Sequence, residues 1–94
     1  MKSLSIFGFT GSIGTQALNL VAEFPDQFEV DIFVCKSNFE KALELIKKYM
    51  PKNVFVADES IREALINQCA DHINFFENIS SLRKYMAENK SCLL

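Results

Sequence analysis

Gly8-Phe9-Thr10-Gly11-Ser12-Ile13-Gly14 contains all three glycines of this 94-residue chain. An apolar run, Leu4-Ser5-Ile6-Phe7, leads into it, and an amphipathic helical pattern starting at about Ser12 leads out of it. Strand, glycine turn and helix start in that order form a cradle for an anion. Glycine lets the backbone come close to a ligand, and the free N–H groups of a first helical turn face that ligand with the helix dipole behind them. Gly8 serves the turn out of the strand, Gly11 the approach of a pyrophosphate, and Gly14 close packing of helix on sheet. Thr10 and Ser12 offer hydroxyls, and Ser12 and Ile13 offer N–H groups. Ser12 also suits the N-cap of the helix.

The spacing is G-x-x-G-x-x-G, not the commoner dinucleotide form, so its weight comes from context: a strand before, a helix after, and a second strand about twenty residues on. No Gly-Lys-Ser/Thr follows, which excludes a P-loop.

Outward from the turn, strand and helix alternate to the end of the chain. Strand one covers residues 3–8. Helix one runs from about Ser12 to Phe24, with Ile13, Ala17, Leu18, Leu20, Val21 and Phe24 as its inner face, and Pro25 ends it. Phe28 to Cys35 is a second strand, and Asn38 caps a helix that Pro51 stops. A third strand spans Asn53 to Ala57, with a helix from Asp58 to about Ala70. A weak fourth strand spans His72 to Phe76, and a fourth helix spans about Ser80 to Asn89. Ser91-Cys92-Leu93-Leu94 reads as the beginning of a fifth strand.

That alternation predicts an α/β fold of Rossmann-like type. It has one parallel sheet with helices on both faces, truncated before the fifth strand. Residues 1–94 form one incomplete domain. Strand one is central, with strand two on one side and the strand starting near Ser91 on the other. With so little of that last strand present, the open edge of strand one predicts marginal stability or self-association.

The end of strand two decides between cofactors. A site for NAD places a carboxylate there, to hold the ribose 2′-OH. Here the residues are Val34-Cys35-Lys36-Ser37-Asn38, without a carboxylate. Lys36 can pair with a 2′-phosphate, and Ser37 and Asn38 can hydrogen-bond to it. This favours NADPH. The plainer readings are a solvated loop lysine and an ordinary helix cap. Asp31 lies inside the strand, too early to serve.

Composition bounds the rest. With 49% hydrophobic residues the chain can bury a core, and a net charge of −2 without a basic face argues against nucleic acid. No apolar run is long enough for a membrane span or a signal-peptide core, which points to a cytoplasmic protein. Cys35, Cys69 and Cys92 lack metal-ligand spacing and fit reduced thiols, and His72 is the one histidine. No catalytic or metal-binding residue stands out.

The chain resembles a known family. Gly8 to Gln16, then Leu18, Pro25, Phe28 and Val30, then Asn38, then Pro51 before Val54-Phe55-Val56, are similar to the N-terminal part of 1-deoxy-D-xylulose 5-phosphate reductoisomerases. The resemblance implies the NADPH-binding part of a bacterial or plastid enzyme of isoprenoid biosynthesis. That enzyme rearranges and reduces 1-deoxyxylulose 5-phosphate to 2-C-methylerythritol 4-phosphate, using NADPH and a divalent metal (Mg or Mn). It further implies that Thr10, Gly11, Ser12, Ile13 and Lys36-Ser37-Asn38 contact NADPH. The family's metal, substrate-phosphate and catalytic residues are expected outside this chain, and a homo-oligomer is expected. The family often has Gly-Lys before the asparagine where this chain has Lys36-Ser37, so the basic residue is displaced by one. The alternatives are the cofactor domain of another NADP-dependent dehydrogenase and a nucleotide-sensing module without chemistry.

Overall fold

A computed structural model of the chain describes residues 2–9, 11–69, 72–89 and 92–93, with the backbone alone at 12, 13, 92 and 93. The elements are β1 (Lys2–Phe7), α1 (Ser12–Glu23), β2 (Phe28–Cys35), α2 (Phe39–Tyr49), β3 (Asn53–Val56), α3 (Glu59–Gln68), β4 (Asn74–Phe75), α4 (Ile79–Glu88) and β5 (Cys92–Leu93). All strand pairs are parallel, in the order β4-β3-β2-β1-β5.

Each crossover from β1 to β4 steps in one direction, so right-handedness places α1, α2 and α3 on one face. The crossover from β4 to β5 steps back across the sheet and puts α4 on the other face. The packing agrees. Ala17, Leu18 and Val21 of α1, Ala42, Leu45 and Ile46 of α2 and Leu65 of α3 join Leu4, Ile6, Phe33, Val54 and Val56 in the main core. Leu82 of α4 packs with Ile32, Phe55 and Phe76 in a smaller one. This is the α/β Rossmann-like sheet with helices on both faces that the alternation predicts.

Four features depart from the sequence reading or lie beyond it. The sequence predicts a sheet cut off before its fifth strand. The structure has β5 as a two-residue strand beside β1, pairing Leu4 with Cys92 and Ser5 with Leu93, while Ser91 and Leu94 lie outside the described residues. The fourth strand extends the sheet beyond β3, so the reversal in strand order falls between β1 and β5. Leu20 and Phe24, expected inward on α1, are 46% and 39% exposed, because the buried stripe of this helix is narrower than its apolar pattern.

The fourth feature is a bulge in β2. Its register against β1 passes from Leu4↔Val30 to Ser5↔Ile32, skipping Asp31. An extra residue reverses the alternation of faces. Val30 and Phe33 therefore share the main core, while Ile32 faces α4. Asp31 is buried, and its Oδ1 accepts from Asn53 Nδ2 at 2.9 Å and from the Tyr85 hydroxyl at 2.8 Å. Asn74 Nδ2 donates to Asn53 Oδ1 at 3.0 Å. Burial, and next the hydrogen bond to Asp31, push the Tyr85 hydroxyl pKa up. This network ties β2, β3, β4 and α4 together at the N-terminal ends of β3 and β4, away from the glycine turn.

Candidate functional site: the glycine turn and the end of β2

The turn is built on a single carbonyl. As β1 ends, the Gly8 N–H donates to Val34 O at 2.7 Å and the Phe9 N–H to the same oxygen at 3.3 Å. Gly8 takes a φ of +69°, a region that side chains resist. Its carbonyl accepts the Gly11 N–H at 2.9 Å, closing the turn. The Gly11 carbonyl then accepts the Thr15 N–H at 2.9 Å and the Thr15 hydroxyl at 2.8 Å, which starts α1.

Gly11, and not Ser12, is therefore the N-cap. Its extended backbone (φ −93°, ψ −177°) and the bond from Thr15 put Ser12 inside the first helical turn. The cap brings no side-chain acceptor to the helix start. Gly11 is exposed, and a Cβ there would meet only the Gly8 carbonyl oxygen, at 3.3 Å. Gly14 is buried, and a Cβ there would lie 2.5 Å from both Gly8 O and Phe9 Cα. The close packing expected of Gly14 is real, and its partner is the turn rather than the strand.

Beneath the turn, the Phe9 ring is fully buried and stacks on Phe33 with centroids 4.3 Å apart. Phe33 meets the edge of Tyr49 at 6.5 Å. Read from sequence, Phe9 has no role of its own. Its position between two glycines of the turn was the signal available.

The end of β2 lies beside the turn, since Phe7 pairs with Val34. Lys36, Ser37 and Asn38 follow, all exposed. Among the described residues the one ion pair joins Lys52 to Glu29, leaving Lys36 without a carboxylate partner there. The Lys36 carbonyl accepts the Asp58 N–H at 3.0 Å, which anchors this loop to the end of β3. Asn38 Oδ1 accepts the Lys41 N–H at 3.2 Å, the ordinary cap of α2. Cys35 is buried, and desolvation raises its thiol to about 11, so it stays a protonated, unreactive thiol near neutral pH.

The structure thus brings Gly11, the α1 start and Lys36-Ser37-Asn38 to the C-terminal ends of the neighbouring strands β1 and β2. Thr10 lies outside the described residues, as do the side chains of Ser12 and Ile13. Arg62 is no candidate for the same anion: its guanidinium donates to Val56 O at 3.1 Å and Glu77 O at 2.6 Å. Among the described residues no three His, Cys, Asp or Glu side chains gather as metal ligands, and no helix is long and apolar enough to cross a membrane.

Sheet order, crossover pattern and glycine turn define a Rossmann-like α/β domain, open at the C-terminal ends of β1 and β2. The family model for 1-deoxy-D-xylulose 5-phosphate reductoisomerase matches residues 4–92, and the chain belongs to that family. It is 34% identical over 91 residues to the reductoisomerase of Shouchella clausii, covering 97% of this chain and 24% of that protein. Against that of Gloeobacter violaceus it is 45% identical over 65 residues, covering 69% and 17%. The chain spans about a quarter or less of the length of these relatives. A crystal structure of DOX-P reductoisomerase in complex with NADPH, fosmidomycin and magnesium shares the fold, with a TM-score of 0.81 at 21% identity over 98% of this chain and 23% of that one. The Zymomonas mobilis enzyme in complex with NADPH gives 0.75 at 23% identity, covering 88% and 22%.

Proposed function

We propose that this chain is the NADPH-binding part of a 1-deoxy-D-xylulose 5-phosphate reductoisomerase. The observation that carries the reading is the glycine-capped start of α1 set beside the Lys36 loop, at the C-terminal ends of the paired strands β1 and β2. NADPH brings two anionic groups that fit it. The pyrophosphate belongs at the Gly11 turn, facing the backbone N–H groups of Ser12 and Ile13, with Thr10 alongside. The 2′-phosphate belongs at Lys36, with Ser37 as hydrogen-bond donor and the Asn38 side chain at the rim. Room at Gly11 for a close backbone approach supports this fit, as does the absence of a carboxylate at the end of β2.

NADPH, when bound, supplies a hydride. What this chain's residues do is hold it: the turn fixes the phosphates, and Lys36 selects the phosphorylated ribose. The family's rearrangement and reduction of 1-deoxyxylulose 5-phosphate to 2-C-methylerythritol 4-phosphate needs the substrate, a divalent metal and catalytic residues. We assign those to parts of the enzyme outside residues 1–94. In this reading the whole enzyme is a cytoplasmic homo-oligomer.

The test is titration of the chain with NADPH and NADH, followed by the fluorescence of the reduced nicotinamide. NADPH is expected to bind more tightly. Lys36→Ala removes one charge-assisted contact and is expected to weaken NADPH about tenfold, with little effect on NADH. Equal affinities for the two cofactors, or tighter NADH, would overturn the assignment of Lys36.

A further inference from the structure

Phe9 is the one fully buried side chain described in a turn whose glycines, Gly8 and Gly11, are exposed. Three contacts hold it. Its N–H is bonded to Val34 O. Its backbone lies against Gly14, so closely that a Cβ there would sit 2.5 Å from Phe9 Cα. Its ring lies 4.3 Å from that of Phe33, tilted by 14°, and Phe33 is braced from another side by Tyr49. Phe33 is on β2, the strand that runs on directly into Lys36. One ring stack therefore joins the turn at the α1 start to the strand that delivers the lysine.

We infer that Phe9 is a positioning residue for the cofactor: its stack on Phe33 sets the spacing between the pyrophosphate cradle at Gly11 and the 2′-phosphate contact at Lys36. The inference rests on the NADPH reading above and adds a residue to it. A ligand that carries both anionic groups on one rigid scaffold binds well only if both subsites are held at the matching separation, since preorganisation lowers the cost of binding. Two stacked rings have a preferred geometry that aliphatic packing lacks. Replacing Phe9 with leucine keeps the site apolar and removes that geometry. NADPH, which uses both subsites, then loses more than NADH, which lacks the 2′-phosphate.

The experiment titrates NADPH and NADH into the wild-type chain, Phe9→Leu, Phe33→Leu, the double variant and Leu82→Ala. Circular dichroism at low temperature confirms that each is folded. Leu82 lies in the separate core under α4 and controls for lost packing alone. We expect Phe9→Leu and Phe33→Leu each to weaken NADPH about tenfold and to shrink the NADPH-over-NADH preference, as expected when a preorganised spacing is lost. The double variant adds little to either, since both remove the same stack. Leu82→Ala lowers the melting temperature and leaves affinity unchanged. Phe33→Leu tests the stack from the β2 side should Phe9→Leu not fold. If the wild-type chain binds NADPH and the Phe variants bind it as tightly, or lose both cofactors equally, the positioning role is wrong and the cofactor reading stands. If the wild-type chain binds neither cofactor, the cofactor reading itself is wrong, and this inference with it.

Discussion

The start of α1 differs from the starts of α2, α3 and α4. In those three helices an Asn or Asp occupies the cap and its side-chain oxygen accepts an N–H three residues on. Asn38 accepts from Lys41 at 3.2 Å, Asp58 from Ile61 at 3.1 Å, and Asn78 from Ser81 at 2.9 Å. At α1 the cap is Gly11, which brings no side chain. Each helix start has N–H groups without intrahelical partners. Three of the four satisfy one of them inside the fold, and the fourth keeps its polar end clear of a capping side chain, beside Lys36, which has no carboxylate partner among the described residues. Donors spent on a cap stabilise the chain; donors left free at a glycine can serve a ligand.

The largest effect is expected at Gly14. A methyl group there meets the Gly8–Phe9 backbone, Gly8 O and Phe9 Cα, and neither can rotate away. Gly14→Ala should lower stability by about 3 kcal/mol, the upper end of what overpacking costs. A urea melt within half of that of wild type would mean that helix and turn separate easily.

Gly11→Asp would give α1 the kind of cap its neighbours have. The backbone at Gly11 is already extended, so an aspartate fits without strain, apart from a 3.3 Å approach to Gly8 O. Stability should stay within about 0.5 kcal/mol of wild type, since glycine is only slightly worse at a cap. NADPH affinity should fall about a hundredfold, because a carboxylate would face the pyrophosphate and like charges at contact cost several kcal/mol. Unchanged affinity would show that the phosphates are held elsewhere.

Asn78→Ala makes the opposite change at α4. It should cost about 1 kcal/mol in a thermal or urea melt. The same titration should return wild-type NADPH affinity, since α4 packs on the sheet face away from α1. A loss of affinity here would break the division between capped and ligand-facing helix starts.

The smallest effect concerns a helix end. Met50 closes α2 at φ +49°, in the left-handed region that glycine adopts without strain. Met50→Gly should raise stability by about 0.5 kcal/mol, because relief of strain outweighs glycine's greater loss of chain entropy. A melt that moves downward would show that the methionine side chain contributes packing despite its exposure.

Much of the fold was legible because the signals are local. Pro25 and Pro51 end helices whatever the rest of the chain does, Asn38 caps α2 as expected, and Asp58, read as the first residue of its helix, is the cap of α3. The flanks of β1 followed from the doubly wound order, which makes the first strand central, and from the apolar residues near position 92. The glycine turn was legible too, including the turn at Gly8 and the close approach at Gly14. Three features were not, the last two because a distant residue decides them. Gly11 displaces Ser12 as the cap because its N–H closes a turn on Gly8. Asp31 reads as an odd charge in a strand until Asn53 and Tyr85, from β3 and α4, are brought to it. Phe9 looks like one more core aromatic until Phe33 arrives beneath it. Lys36 was legible as a loop cation, and its neighbourhood with the turn depends on the pairing of β1 with β2.

The strand order also implies a sequence of events in time. β1 gains β2 on one side after a single intervening helix, but on the other side it waits for Cys92 and Leu93, almost the whole described chain away. Closing the longer loop costs about 1 kcal/mol more in chain entropy, and contacts of such separation form late in folding. During synthesis, which delivers β1 and β2 before β5, the turn, Phe9, Phe33 and Lys36 can assemble on the early half of the sheet. The β5 edge of β1 stays unpaired until residues 92–93 are made. Aggregation during folding is therefore expected to start from that flank of β1, rather than from the flank paired with β2.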